Sequence, residues 1–531
     1  MRGLFGLEPV RSGRVRLGTW RGAATPGERW QGGCGFLSED RKEEGLAAAL
    51  SVADNMTLSR LHGLGPGPLV FPGAQDRAAT RWIDRLQIKS RTPRQPVAEL
   101  SGGNQQKVAL ARLLHHDVDV LLLDEPTRGI DVASKAQIYE LIDALVAERQ
   151  PSGADRARGS EPRAVLMVSS YIPELLVSAI ASPSCTADSW ASRARPPSSP
   201  STDWCSKLQG PRMRKDLFAP RALLASAGPL IGLAFVAIVF GFLVGPQFFR
   251  GNNLELIARQ TAIVCTAALG MTMVIVAGGI DLSVGSIVAL TTVVIALVLG
   301  AGYGPVAAVA AGVGAGAICG LVSGLLVTRL RVVPFIVTLG MMLLVRGTAK
   351  GLSGERRLEA PATWLNDLLR TLEPGRGFLV PGGIWLVALL ALAVAVTLQY
   401  TRFGRHLFSI GSNERTARLC GVAVDRTKVA VYAIAAALTG VAGVLQFSRL
   451  SVGDPTVADG LELDVIAAVI IGGGSLSGGR GTVPGTILGA ATMAVIQIGC
   501  AQRGLPNWVQ QIVTGGIIVL AVALDRWRQR G

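Results

Sequence analysis

Two short runs in the first quarter of the sequence carry residue types suited to chemistry. Leu100-Ser101-Gly102-Gly103-Asn104-Gln105-Gln106-Lys107 opens a stretch that continues VALARLL, the pattern of a helix. A serine and two glycines at a helix start expose backbone N–H groups and the positive end of the helix dipole, which suits a phosphate. Taken alone, the same residues also read as a serine N-cap with a flexible glycine pair. Further on, the apolar run Val118–Leu123 ends in Asp124-Glu125-Pro126, and Gly129-Ile130-Asp131 follows. That is the pattern of a buried parallel strand delivering carboxylates at its C-terminal end. A third acidic group stands in an unusual place. Gly278-Gly279-Ile280-Asp281-Leu282-Ser283-Val284-Gly285 sets Asp281 and Ser283 between two long apolar runs. A carboxylate there is costly unless paired, hydrated or functional, and close helix packing through small residues is the alternative use of such a break.

Two unlike halves must position these residues. The 531 residues include 52 Lys+Arg against 37 Asp+Glu, a net charge of +15, with 49% hydrophobic residues and 65 glycines. Mean hydropathy is +0.42. Collagen-like, disordered and disulfide-scaffold classes are excluded by this composition. The seven cysteines and four histidines show no ligand spacing. Residues 1–215 carry 29 basic and 23 acidic side chains, whereas the longer remainder carries 23 and 14, so the boundary falls near residue 215. Positive charge is spread over both halves, as positive-inside bias would spread it, and no nucleic-acid partner is expected.

Residues 1–179 read as a soluble α/β segment, with strands at Val118–Leu123 and Ala164–Ser169. Residues 180–215 are rich in Ser, Pro and Arg and read as a disordered linker, or as the trace of a shifted reading frame near residue 180. Residues 216–531 contain apolar runs long enough to cross a bilayer, near 222–244, 260–279, 284–301, 304–327, 333–352, 382–399, 429–447, 463–474, 483–501 and 506–524. The run at 463–474 is short for a crossing and could be re-entrant. Lys and Arg cluster before the first run, at 329–331, at 402–428 and after the last, whereas 449–464 carries four acidic residues against Arg449. Ten crossings with both termini cytoplasmic satisfy this distribution.

The order of an SGG helix start, a strand ending in Asp-Glu-Pro and a Gly-x-Asp loop resembles the signature, Walker B and D-loop of ATP-binding cassette (ABC) ATPases. LSGGNQQK with DEPTRGID, together with SEDRKEEGL and SVADNMTL, resembles the ATP-binding subunit of bacterial monosaccharide importers of the ribose, galactose and xylose type. The resemblance implies that Ser101, Gly102 and Gly103, with Gln105 and Asp131, contact a nucleotide held by an opposite ATPase half. It further implies that Asp124 holds Mg²⁺ through water, Glu125 orients the attacking water, and Ser170 stands at the switch position. None of the eight lysines follows a glycine, so the Gly-Lys-Ser/Thr phosphate cradle is expected to come from a partner. The opening MRGLFGLEP resembles family text just downstream of that cradle, so the 1–179 segment is expected to be a truncated ATPase fragment.

GGIDLSVGS, VVPFIVTLGMM, GGGSLSGGRGTVPGTILGA and WVQQIVTGGIIVLAVALD resemble the permease subunit of the same importers. By that resemblance the loop 400–428 contains the coupling helix, with Asn413, Glu414 and Arg418 projecting toward the ATPase, and Asp281 and Ser283 are candidates for the translocation path. The expected fold is a mainly α-helical polytopic membrane protein of about ten transmembrane helices with a truncated α/β ABC-type fragment. The expected function is ATP-driven import of a small sugar across the bacterial plasma membrane, with ATP and Mg²⁺ bound only when a partner supplies the cradle. Expected partners are a second permease copy, an intact ATPase subunit, an extracytoplasmic sugar-binding protein and the lipid membrane. An inert membrane protein that binds no nucleotide is the alternative.

Overall fold

The computed structural model describes residues 1–10, 12–17, 20–130, 135–140, 142, 163–170, 220–371 and 380–530. Asp131, the linker expected over 180–215 and the close of the 1–179 segment lie outside these residues. Cys34–Leu37 (β1), Val120–Asp124 (β2) and Ala164–Val168 (β3) form a parallel sheet in that order, Cys34 opposite Val120 and Asp124 opposite Val168. A central parallel strand covered on both faces must be apolar throughout, and Leu121, Leu122 and Leu123 are fully buried. β3 lies at the edge of the sheet, with Leu166 and Val168 about half exposed. Helix Gly102–His116 (α3) packs on the sheet, and helices Val52–Thr57 (α1) and Pro72–Arg85 (α2) pack beyond it against α3. β2 starts two residues later than its apolar run because Asp117 ends α3 in the left-handed conformation, and the chain needs Val118 and Asp119 to turn into the sheet.

The second half consists of helices Pro220–Val244 (α4), Gly251–Val276 (α5), Val284–Gly300 (α6), Pro305–Leu330 (α7), Pro334–Ser353 (α8) and Gly382–Tyr400 (α9). Two short helices, Arg402–Ser412 (α10) and Glu414–Leu419 (α11), precede Val424–Leu450 (α12), Leu461–Ile471 (α13), Val483–Gln502 (α14) and Asn507–Arg530 (α15). Among the described residues six are long and apolar enough to cross a membrane: α5, α7, α8, α9, α12 and α14. Part of α4, Gly228–Val244, and α6 are apolar but shorter, and α13 has 11 residues, so ten crossings stays an expectation. α5 begins nine residues ahead of its expected apolar run: backbone hydrogen bonding carries the helix through the polar text GNNLELIAR, which hydropathy alone reads as loop.

α7 and α12 meet through glycine. Gly312, Gly316, Gly320 and Gly324 recur once per turn and are buried on a helix whose other faces are largely open. A Cβ at Gly316 would lie 2.7 Å from the Ala436 carbonyl oxygen, and one at Gly320 would lie 2.2 Å from that of Tyr432. Without a hydrophobic drive between helices in lipid, such backbone approach supplies the attraction.

The segment ahead of α13, which the charge pattern assigns to the outer side, packs against the bundle. It packs down along α6: Gly453 meets Thr292 and Ala296, and the Ala458 carbonyl lies where a Cβ on Gly285 would be, 2.3 Å away. Arg346 of α8 donates to the carbonyls of Pro455 (3.1 Å) and Val457 (2.7 Å), and Asp454 accepts from Thr456. Irregular backbone beside a spanning helix is tolerated when its polar groups are satisfied in this way.

Gly320→Ala should lower the thermal unfolding midpoint of the detergent-purified protein by an amount equivalent to about 1–3 kcal/mol. Gly314→Ala on the same helix faces open space, and it should be neutral or slightly stabilising.

Candidate functional site

Ser101 sits as N-cap of α3 in extended conformation, its hydroxyl accepting from Asn104 Nδ2 at 2.8 Å. Gly102 and Gly103 form the first turn. Arg41 joins this start to the loop after β2, donating to the Gly102 carbonyl (2.6 Å), the Arg128 carbonyl (3.0 Å) and the Gly129 carbonyl (3.3 Å). A cavity of about 690 Å³ opens there, lined by Arg41, Lys42, Gly102, Gln105 and Arg128 among others. Gln105 borders the cavity, but its amide donates to the carbonyls of Val97 (3.2 Å) and Leu100 (3.1 Å), tying it to its own loop. Arg41 lies within SEDRKEEGL and was not singled out by sequence; a cation flanked by acids is an ordinary surface pattern.

β2 delivers Asp124 and Glu125 as its apolar run requires. Glu125 is in the left-handed region (φ 47°), its N–H donates to the Val168 carbonyl at 2.9 Å, and its carboxylate accepts from the backbone N–H of Ser170. Glu125 and Ser170 are thus brought together through the main chain of Ser170. Partial burial pushes the Asp124 carboxyl up, the terminal amine and Arg2 oppose this, and the neighbouring Glu125 and Glu44 add to it.

The expected coupling loop reaches the sheet-bearing segment. Asn413 caps α11 by accepting from Thr416 N–H (3.1 Å), and its Nδ2 donates to the carbonyls of Lys42 (3.3 Å), Glu43 (2.9 Å) and Leu46 (3.3 Å). Trp30 Nε1 donates to the Leu419 carbonyl at 2.6 Å, Arg112 donates to Cys420 Sγ at 3.1 Å and to the Gly45 carbonyl at 2.8 Å, and Arg405 pairs with Asp54 at 3.2 Å. Ile410, Ala417, Leu419 and Cys420 are buried in the same apolar cluster as Trp30, Phe36 and Leu113. Glu414 and Arg418 do not reach across: Arg418 pairs with Glu414 (3.0 Å) and Asp425 (2.6 Å), and Lys428 with Glu414 (2.6 Å), bracing the loop itself. Burial raises the Glu414 carboxyl, but the hydrogen bonds and charges of Lys428 and Arg418 outweigh it and hold the group below its usual range. The apolar residues of the loop carry most of the contact, and hydropathy read them as part of a polar connection.

Directly behind the loop three backbones touch. A Cβ on Gly411 would lie 1.8 Å from the Val276 carbonyl oxygen and 2.5 Å from Gly479 N, and one on Gly478 would lie 2.6 Å from the Gly411 carbonyl oxygen. Gly479 N–H donates to the Val276 carbonyl at 2.9 Å. The end of α10, the end of α5 and the second glycine-rich break therefore meet at one point. Just past it, Asp281 is enclosed and accepts from both the N–H (2.8 Å) and the hydroxyl (2.6 Å) of Ser283, so neither residue faces an open path in this arrangement.

Residues 253–522, more than half of the chain, match the family described as branched-chain amino acid transport system / permease component, and residues 1–128 match the family described as ABC transporter. The chain therefore belongs to the permease components of ABC transporters, with an ABC-type ATP-binding segment ahead of its permease half. It is a membrane protein. It is 39% identical to the ribose import permease protein RbsC of Escherichia coli over 58% of this chain and 96% of that one. The RbsC protein of Bacillus subtilis is 37% identical over 57% and 94%, and the fructose import permease protein FrcC of Rhizobium meliloti 34% over 57% and 85%.

Asn413→Ala should remove the cap and the three docking hydrogen bonds and cost about 1–3 kcal/mol, read as a lower midpoint of the Trp fluorescence transition. His116 and His406 are half-buried, and the loss of hydration pushes both down to about 4 from the ordinary 6.5. The unfolded chain then takes up protons first, so their contribution is complete above about pH 6.5 and is lost as the pH falls toward 4. A pH series of unfolding midpoints should show this slope, and His116→Gln with His406→Gln should flatten it.

Proposed function

We propose that the protein imports a monosaccharide with energy from ATP, as the permease half of an ABC importer joined to part of its ATPase. The observation that carries this reading is the seating of Asn413, Leu419 and Cys420 in the ATPase-type segment, which links two importer components within one chain. Support for the substrate class comes from relatives whose names specify ribose, fructose and arabinose. The alternative of an inert membrane protein is not favoured by this likeness. The divisions are assigned at 1–179, 180–215 and 216–531, both termini are assigned to the cytoplasm, and a second permease copy completes the pore. Sugar arrives on an extracytoplasmic binding protein.

No lysine follows a glycine in the sequence, so the phosphate cradle is assigned to a partner ATPase. Ser101, Gly102 and Gly103 complete that partner's site, their N–H groups facing the terminal phosphate. Gln105 positions the signature loop, and Asp131 belongs to the contact between the two halves. The donor set at β2 suits Mg²⁺: a half-buried Asp124 beside Glu125 and Glu44 has its ionised form disfavoured by burial and like charge, which a divalent cation would reverse. When bound, Mg²⁺ would neutralise phosphate charge. Glu125, held by the Ser170 backbone, would orient water. Asn413 and the Glu414–Arg418 brace transmit closure to α10, and Asp281 with Ser283, enclosed in this arrangement, would border the inner end of the path in another state of the cycle.

Co-expression with an intact ATPase and a binding protein in cells lacking sugar importers should give uptake of a labelled pentose or hexose. Ser101→Arg should reduce it by about 100-fold or more, whereas Glu125→Gln should leave most of it, because the site that Ser101 completes uses the partner ATPase's own carboxylate. Uptake indifferent to Ser101→Arg would refute the assignment of the signature.

A further inference from the structure

The end of the membrane half remote from the docked loop holds polar side chains that neither the nucleotide segment nor the coupling loop uses. Arg449, in the last turn of α12, donates to Oε1 of Gln260 on α5. Gln260 Nε2 donates to Oε1 of Gln497 on α14 at 3.0 Å, and Gln497 Nε2 donates to Oδ2 of Asp464 in the first turn of α13. Four helices thus give one side chain each to a single line of hydrogen bonds, running from Arg449 to the head of the short helix. Gln260, Gln497 and Asp464 are half-buried, and of the four residues Arg449 is the one that lines a cavity. Hydrocarbon supplies no hydrogen-bond partner, and part-exposed amides and carboxylates among spanning helices face water or protein.

The Arg449 end of the line meets a cavity of about 510 Å³ that Arg259 and Asn366 also line, within the roughly 300–1,000 Å³ of small-molecule sites. Arg259 spends one guanidinium nitrogen on Thr371 Oγ1 at 3.0 Å, while its buried Nε has no partner among the described residues. The head of α13, where the line ends away from the cavity, is reached through the irregular segment held by Arg346, so a helix begins inside the bundle at the far end of the line.

We propose that this cavity and the line behind it form the outer part of the translocation path and recognise a neutral polyhydroxylated molecule of monosaccharide size. The inference rests on the import reading above and names the residues that meet the substrate. A hydroxyl both donates and accepts, so it can insert between each donor and acceptor of the line without leaving either unsatisfied. Three guanidinium groups at the mouth, Arg259, Arg370 and Arg449, outnumber the one carboxylate there, Asp367, which pairs with Arg370, and so oppose a cation, while the Asp464 carboxylate at the inner end opposes an anion. A neutral polyol fits both ends.

The test compares Gln260→Cys and Gln497→Cys with Leu389→Cys, a position 63% exposed on the apolar outer face of α9. Intact cells are treated with a membrane-impermeant charged thiol reagent, with the unsubstituted chain as background. The two glutamine positions should label about tenfold or more faster than Leu389→Cys, since reaction needs a hydrated thiolate. In the uptake assay, Gln497→Leu and Asp464→Asn should raise KM for the labelled sugar by about tenfold with kcat and membrane abundance retained; a merely structural role would lower abundance instead. Labelling no faster than Leu389→Cys, or an unchanged KM, would overturn the proposal. Absence of uptake by the unsubstituted chain would overturn the import reading itself, a result distinct from uptake with unlabelled cysteines.

Discussion

The architecture depends on one stretch of chain belonging to two cores. Residues 402–424 emerge from the membrane bundle and bury Ile410, Ala417, Leu419 and Cys420 against Trp30 and Leu113. Apolar burial of this kind is worth roughly 25 cal/mol per Å² removed from water, but it has no direction. Direction comes from the polar contacts around it, Trp30 to the Leu419 carbonyl, Arg112 to Cys420 and Gly45, and Asn413 to three carbonyls. A shift of α11 along its axis would break the contacts of Asn413, Leu419 and Cys420 together, so the soluble segment and the loop move as one body.

On the membrane side the same loop is held by contact between backbones. Where Gly411, Gly478 and Gly479 meet the carbonyl of Val276, there is no side chain to yield. Displacement of α10 is therefore passed to the end of α5 and to the second glycine-rich break. The α7–α12 contact through Gly316 and Gly320 follows the same rule. The rich supply of glycine, 65 residues with only 5% aromatics, reflects how many helices must approach to backbone distance in a medium that offers no hydrophobic drive.

Much of this was legible in residue order. The buried strand ending at Asp124, the serine-capped start of α3, the short α13 and the broken segments at 278 and 472 all follow from period, length and breaker residues. Other parts could not be read locally. Arg41, Gln260 and Gln497 look like ordinary polar residues until folding brings distant elements beside them. Asp281 reads as a path residue because it is acidic between apolar runs, and its enclosure with its own neighbour Ser283 could not be read from that position. The packing of the segment ahead of α13 could not be read from its acidic, polar text, because Arg346, 109 and 111 residues away in sequence from Pro455 and Val457, supplies the donors that let the backbone descend.

The occupied coupling loop also has a consequence for assembly. A tethered partner acts at an effective concentration set by the length and stiffness of its connection, independent of how dilute the protein is. Because the chain's own segment already fills the surface formed by Asn413, Leu419 and Cys420, a separate cassette seeking that loop is a competitor at a fixed disadvantage. Each chain brings one loop and one occupant, so access is a question of exchange: the rate at which the resident segment releases sets how often an outsider can enter, whatever its own affinity.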